Sequence, residues 1–168
     1  MKVITSHERA DMDALASIYG AKLLYPDHRA VLPQKLNRNL REFLALYGED
    51  FPFVQRRELA EEEISHLILV DTQRISPLPT MTPETPRHII DHHRQEIEET
   101  EHVSFEGEML GATVTLLTER IRERGISLGR LGASLLLMGI YEDTGSLLYT
   151  MATARDARAA AWILEQGA

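Results

Sequence analysis

The chain contains no cysteine, which excludes disulfides and thiolate metal sites, so any bound metal must take histidine, carboxylate or backbone oxygen. Aromatic residues make up only 6% of it, and no aromatic ladder for stacking the bases of a long single strand is evident. A basic excess is also missing: 26 Asp and Glu against 18 Lys and Arg give a formal net charge of -8. That balance argues against a protein whose whole surface grips nucleic acid, while a local basic groove stays open. No run approaches the ~18 apolar residues of a membrane span, and the opening "MKVITSHERADMD" lacks the apolar core of a secretory signal. What is present, 168 residues of which 43% are hydrophobic, suits one cytoplasmic α/β domain with a real core.

Apolar patterning divides the chain. "KVITS" (2–6) predicts a short strand, β-branched and closed by polar residues. From Asp13, "DALASIYGAKLLY" places Leu15, Ile18 or Tyr19, Ala21 or Lys22, and Leu23 near helical spacing until Pro26 stops it. "RAVLP" (29–33) predicts a second strand. "NRNLREFLALYG" (37–48) predicts a helix with Leu40, Phe43, Leu44 and Tyr47 on one face and Gly48 closing it. The apolar runs in "SHLILVDTQ" (65–73) and "RHIIDHHRQ" (87–95) predict strands buried on both faces, separated by a loop, "SPLPTMTPETP" (76–86), with four prolines. "HVSFEG" (102–107) predicts another strand, and helices follow over 112–125, 129–143 and 156–168. This alternation predicts a single α/β domain, a three-layer sandwich whose mostly parallel sheet is flanked by helices on both faces.

The stretch "SHERADMDALAS" (6–17) sets His7, Asp11 and Asp13 where a strand gives way to a helix. Helix capping explains one of these aspartates, but not both together with the histidine. In open α/β sheets ligands bind beyond the carboxyl ends of the strands. Here "VITSHERAD", "LILVD" and "IIDHH" are apolar runs that each end in Asp or His. Parallel strands would bring His7, Asp11, Asp13, Asp71, Asp91, His92 and His93 to one rim. Carboxylates so crowded repel one another unless cations lie among them. Mixed imidazole and carboxylate donors suit Mn²⁺, Fe²⁺, Co²⁺ or Zn²⁺. Two ions about 3.5–4 Å apart, sharing a carboxylate, would use this set and clamp both oxygens of a phosphoryl transfer. Each residue also has a plainer role, since strand-end aspartates commonly form turns or caps. His28, His66 and His88 stay unassigned as structural or solvated.

Four segments in order, "HERADMD" (7–13), "LILVDTQ" (67–73), "DHH" (91–93) and "GIYEDTG" (139–145), resemble the motifs of the DHH phosphoesterases. That family holds RecJ-like exonucleases, nanoRNases and pAp phosphatases, cyclic-dinucleotide phosphodiesterases, and family II pyrophosphatases and exopolyphosphatases. A narrower likeness covers "AKLLYPDHRAVLPQKLNRNLREFLALYGEDFPF" (21–53) and "ISHLILVDTQ" (64–73). It is to the DHH module of bacterial tRNA nucleotidyltransferase/poly(A) polymerase-related proteins, which continue into CBS and nucleotidyltransferase domains. The resemblance implies a Mn²⁺-dependent phosphoesterase with two divalent ions, with Mg²⁺, Co²⁺ or Zn²⁺ as alternatives. It assigns His7 and Asp11 to the first ion, Asp13, His92 and Asp143 to the second, and Asp71 to both. His93 would face the substrate phosphate, Asp91 would orient a neighbouring histidine, and a water between the ions would attack in line with the leaving oxygen.

Active members of that family carry a further, smaller domain with a glycine-rich motif and basic residues. No such segment follows "EQGA" (165–168), so the chain is expected to be a fragment of a longer multidomain protein, weakly active alone. The substrates implied are short oligonucleotides, 3′-phosphorylated nucleotides or RNA ends. Pyrophosphate or polyphosphate is the alternative substrate, and a non-catalytic metal- and nucleotide-binding regulatory module the alternative role. Arg29, Lys35 and Arg38, with Arg41, lie in the acid-free stretch "HRAVLPQKLNRNLR" (28–41) and are candidate substrate contacts, against the alternative of a solvated helix face. No membrane partner is expected, and a homodimer is an allowed assembly.

Overall fold

A computed structural model describes residues 1–59, 62–74 and 78–168. Strands β1 (Lys2–Thr5), β2 (Arg29–Leu32), β3 (Phe53–Gln55), β4 (His66–Val70), β5 (Arg87–Ile90) and β6 (Val103–Glu106) form one sheet in the order β3-β2-β1-β4-β5-β6. Every pair is parallel. The helices are α1 (Met12–Leu24), α2 (Arg38–Tyr47), α3 (Thr113–Glu123), α4 (Arg130–Thr144) and α5 (Ala154–Glu165). The α/β class and the parallel sheet are those the alternating pattern predicts. β3 was not foreseen, because three residues between two single 3₁₀ turns are too few to display an alternation. The chain winds outward from β1 to β3, then returns to β4 and winds the other way. The carboxyl ends of β1 and β4 therefore flank the topological switch point, where such sheets leave a crevice.

Side chains alternate along each strand with the period of two that pleating imposes. Ile4, Ala30, Leu32, Ile68, Val70 and Ile90 join one large core cluster with residues of all five helices. Val3, Val31, Leu67, Leu69 and Ile89 point the other way, into a smaller cluster closed by Ile64 and Leu78 with Leu59, Met81 and Ile97. Among the described residues this second cluster contains no helical side chain, so its cover is irregular where a helical layer was expected. The cause lies partly in the β4–β5 crossover, whose Pro79, Pro83 and Pro86 cannot donate the amides a helix needs. Ser76 and Pro77 of the expected loop lie outside the described residues, and 78–86 is irregular as foreseen.

α1 packs on β1, β2 and β4, and α3 and α4 pack on its outer side. Ala14, Ala16, Ser17, Gly20 and Ala21 keep it slim, and it is buried nearly all round, which is why its apolar residues form no single stripe. Gly139 of α4 faces it at the closest approach. A Cβ there would lie 2.8 Å from Ala16 Cβ and 2.9 Å from Val114 Cγ2, so only glycine lets the helices meet so tightly. One turn later the Glu142 carboxylate accepts the Met12 amide at the start of α1. Asp143 follows in the last turn of α4, which Gly145 closes in the left-handed conformation.

Candidate metal centre

β1, β4 and β5 are neighbours, and the pairs Thr5↔Leu69 and Val70↔Ile90 bring their carboxyl ends to one rim. The ladder runs one step further: Asp71 N–H donates to Ile90 O at 2.9 Å and Asp91 N–H to Glu106 O at 3.1 Å. Asp71 has a φ of 58°, a left-handed conformation that aspartate tolerates better than most residues. Asp11 is the cap of α1, accepting the Ala14 amide at 3.0 Å. The capping role weighed for one aspartate is thus real, and it falls on Asp11.

Asp13 does something else. It is wholly buried, and its two oxygens accept the Thr113 amide at 2.8 Å and the Val114 amide at 3.0 Å. These are the first amides of α3, whose N-cap Ala112 has no capping side chain. Asp13 supplies from α1 the acceptor that α3 lacks, at the positive end of that helix. The Thr113 hydroxyl donates to Asp71 Oδ1 at 2.9 Å and accepts the His92 amide at 3.2 Å.

One ligand atom each from His7, Asp11 and Asp71 lie within 4.8 Å of one another, and so do atoms from Asp13, Asp71, His92 and Asp143. Asp71 belongs to both groups, and to a third with Asp91, His92 and His93. His92 Nδ1 lies 2.9 Å from Leu110 O, leaving Nε2 3.6 Å from Asp71 Oδ1 and 3.4 Å from Asp143 Oδ2, buried and without a hydrogen-bond partner. His7 repeats the arrangement, with Nδ1 2.9 Å from Glu8 O and Nε2 3.6 Å from Asp71 Oδ2. A carbonyl at Nδ1 fixes that nitrogen as the donor and reserves Nε2 for a metal. The orphaned Nε2 of His92, facing two carboxylates, fits a divalent cation.

The charges are under strain. Burial first, then Asp71 and Asp143, push Asp13 well above the usual carboxylate range, and burial raises Asp11 as well. The Asp71 carboxylate draws His7 up to about 9. Burial alone would lower His92, yet Asp143, the Leu110 carbonyl and Asp71 hold it up at about 9. Protons on these groups offset the crowded negative charge, and divalent ions would replace them.

Asp91 stands apart in role. It is buried and accepts Gln73 Nε2 at 3.0 Å, the His93 amide at 3.2 Å and His93 Nδ1 at 2.8 Å. Burial pushes Asp91 up, but the bonds from His93 and Gln73 prevail and hold it below its ordinary range. Asp91 in turn raises His93, whose exposed ring keeps Nε2 for a ligand.

The structure brings His7, Asp11, Asp13, Asp71, Asp91, His92, His93 and Asp143 together. The basic candidates scatter. Arg29 opens β2 at its amino end, in register with Val3 of the parallel β1, so it lies at the edge of the sheet opposite the rim. Arg38 is exposed and paired with Glu42 at 2.8 Å, and Arg41 donates to Leu36 O. Only Lys35 adjoins the rim: its carbonyl accepts the Arg9 amide, and its own amide donates to Glu8. Sequence reasoning missed Thr113, Gln73 and the Leu110 carbonyl. The available signal was Ala112, an alanine where a helix start calls for a capping side chain.

Fold and rim together define an α/β protein with a parallel sheet and, at its switch point, a histidine–aspartate crevice able to hold divalent metal. Residues 2–140 match the profile of the DHH family, N-terminal domain, and the chain belongs to that family. It is 36% identical over 174 residues to the A-adding tRNA nucleotidyltransferase of Geobacter sulfurreducens, covering 100% of this chain and 20% of that protein. It is 31% identical over 169 residues to the manganese-dependent inorganic pyrophosphatase of Bacillus subtilis, covering 95% of this chain and 52% of that protein. An exopolyphosphatase-related protein from Bacteroides fragilis shares the fold, with a TM-score of 0.73 at 19% identity over 99% of this chain and 53% of that one. The chain therefore spans about a fifth of the length of the nucleotidyltransferase and about half that of the pyrophosphatase. Among the described residues no helix is long and apolar enough to cross a membrane.

Proposed function

We propose that this chain is the metal-dependent phosphoesterase domain of a nucleotidyltransferase-related protein, hydrolysing phosphate ester bonds of short oligonucleotides, nucleotides or RNA ends. The observation that carries this reading is Asp71, common to all three groups of metal-competent side chains and the one residue that joins His7 and Asp11 to Asp13, His92 and Asp143. His7 and Asp11 would hold one ion and Asp13, His92 and Asp143 the other. Mn²⁺ suits the mixed nitrogen and oxygen donors, and manganese is the metal named for the Bacillus subtilis relative. Ions held there supply Lewis-acid charge to phosphate oxygens and lower the pKa of water.

The chain's own residues do the rest. The Glu8 and Leu110 carbonyls keep each Nε2 directed inward, and the α3 amides hold Asp13. Asp91 holds His93 at Nδ1, so that Nε2 can donate a hydrogen bond or proton to a phosphate oxygen. An exposed His93 held by the buried Asp91 suits proton donation and favours an enzyme over a binding module. The likeness to the pyrophosphatase favours pyrophosphate or polyphosphate as the second substrate reading.

Hydrolysis of a chromogenic phosphodiester, adenosine 3′,5′-bisphosphate and pyrophosphate, with and without Mn²⁺, tests the proposal in the parent protein. Mn²⁺-dependent turnover of a nucleotide ester, reduced about a hundredfold or more by His93→Ala, supports it. Turnover of pyrophosphate alone shifts the assignment to the second reading. Bound Mn²⁺ with no turnover of any substrate refutes an enzymatic role.

A further inference from the structure

We infer that the cleft beside the metal centre is a subsite for a second, non-reacting phosphate group, with Arg94 as its ligand. This rests on the reading that the reacting phosphate sits at the Asp71 rim. A cleft of about 460 Å³ opens there, lined by Asp71, Gln73, Arg74, His93, Arg94 and Glu96 among others. That volume is in the range of small-ligand sites and exceeds what one phosphate group fills.

Two arginines line it, and they are not equivalent. Arg74 is paired with Glu96 at 3.1 Å. Arg94 is exposed, and among the described residues its guanidinium has no hydrogen bond or ion pair. Yet its backbone is firmly held. The Gln73 amide donates to Asp91 Oδ2 at 3.0 Å and to Arg94 O at 2.9 Å, and accepts the Glu96 amide at 2.7 Å and the Ile97 amide at 3.3 Å. All four hydrogen-bonding positions of that side chain are spent on joining the segment after β4 to the segment after β5. Arg94 thus leaves an anchored backbone directly after His93, with its guanidinium uncommitted.

The chemistry selects the ligand. A guanidinium presents a planar fork that matches two phosphate oxygens. Arg74 is spent on Glu96 and His93 on Asp91, so among the described residues lining the cleft Arg94 carries the positive charge left to meet an anion. Substrates with two phosphate groups, whether linked as an anhydride or esterified at separate positions, would engage Arg94. Single-phosphate compounds would not.

Calorimetric titration of the Mn²⁺-loaded protein with imidodiphosphate and adenosine 3′,5′-bisphosphate, and with orthophosphate and AMP as single-phosphate probes, tests this. Arg94→Ala is expected to weaken at least one two-phosphate probe about tenfold and the single-phosphate probes less than twofold. Arg94→Lys should recover part of the loss, and Arg38→Ala should cause none. Loss confined to imidodiphosphate identifies an anhydride-linked phosphate, and loss confined to the bisphosphate a separately esterified one. Unchanged affinity of Arg94→Ala for both two-phosphate probes overturns the subsite, as does failure of both to bind the wild type. An equal loss for the single-phosphate probes also overturns it, placing Arg94 on the reacting phosphate instead. Electron paramagnetic titration of Mn²⁺ separates the two failures, because a chain that binds no Mn²⁺ refutes the metal reading and the subsite with it.

Discussion

Replacing Thr113 by valine keeps the shape of the side chain and removes one hydroxyl. That hydroxyl donates to Asp71 Oδ1 at 2.9 Å and accepts the His92 amide at 3.2 Å, and Thr113 is fully buried. A hydrogen bond to a carboxylate is worth about 1.5–3 kcal/mol and a neutral one about 0.5–1.5 kcal/mol, with extra cost where a buried amide is left unpaired. The metal-free variant should therefore lose about 2–4 kcal/mol. Asp71 would also lose a tether on a backbone already held at φ 58°. Both groups that share Asp71 should loosen, and groups that orient metal ligands typically carry about 10–100-fold in metal affinity. Thr113→Ser restores the hydroxyl and should recover most of that affinity, at a stability cost of about 1 kcal/mol for the lost methyl. Urea unfolding in chelator and Mn²⁺ titration of the folded variants read the two effects separately. A folded valine variant with wild-type Mn²⁺ affinity would refute the claim that Thr113 positions the shared carboxylate.

Gly139→Ala drives a methyl to 2.8 Å from Ala16 Cβ and should cost about 1–3 kcal/mol of overpacking, visible as a lower melting temperature; an unchanged melt would mean that α1 and α4 pack less tightly. His28 is 2.8 Å from His66 and is pushed down to about 4 by burial, then by His66, Lys2 and Lys22, with Asp27 opposing. Its unfolded value is about 6.5, so its contribution is full above that pH and is lost as pH falls toward 4, by up to about 3 kcal/mol. The difference in unfolding free energy between wild type and His28→Gln should narrow across that window, and a constant difference would refute the account. Mn²⁺ at a hundred times its dissociation constant should raise stability by about 2.7 kcal/mol per ion, reversed by chelator; a melting temperature indifferent to both would argue against a metal centre. Asp13→Ala strands two α3 amides and should destabilise the metal-free protein by about 2–4 kcal/mol, whereas Asp143→Ala should cost less than about 1 kcal/mol and abolish one ion. Equal metal-free stability of those two variants would refute the capping role of Asp13.

The strand ends were legible because the two faces of β4 and β5 are both covered, so their apolar runs are unbroken and the first charged residue marks where the strand leaves the core. That is why the sequence alone places Asp71, Asp91, His92 and His93 together. What lay hidden were contacts between distant parts of the chain. Asp13 meets Thr113 a hundred positions later, and nothing local in "ADMDALAS" announces the helix that receives it. The basic stretch 28–41 misled for the opposite reason: residues close in sequence were taken as close in space, although β2 is extended and carries Arg29 to the far edge of the sheet. The uneven cover of the two faces was equally invisible, since apolar periodicity reports that a strand face is buried but not whether a helix or a loop buries it.

Crowded acids need not weaken the fold, because four of them, Asp11, Asp13, Asp71 and Asp91, are divided between a structural partner and the rim. Asp11 caps α1, Asp13 caps α3, Asp71 takes a hydroxyl from Thr113, and Asp91 takes Gln73 and His93. A carboxylate has about four acceptor positions, so these partners fix its orientation and leave lone pairs free to converge. The partners of Asp11, Asp13 and Asp71 lie in the first turns of α1 and α3, so moving them means moving a helix, while Gln73 and His93 hold Asp91 from the segments after β4 and β5. The positions of the ligands are therefore set by the same packing that stabilises the protein, before a metal arrives. Divalent ions would then gain affinity from carboxylates whose repulsion has already been offset in folding, and would lose little to reorganisation. A centre built this way should respond to perturbation of Thr113 or Gly139, neither of which touches an ion, almost as strongly as to perturbation of a ligand.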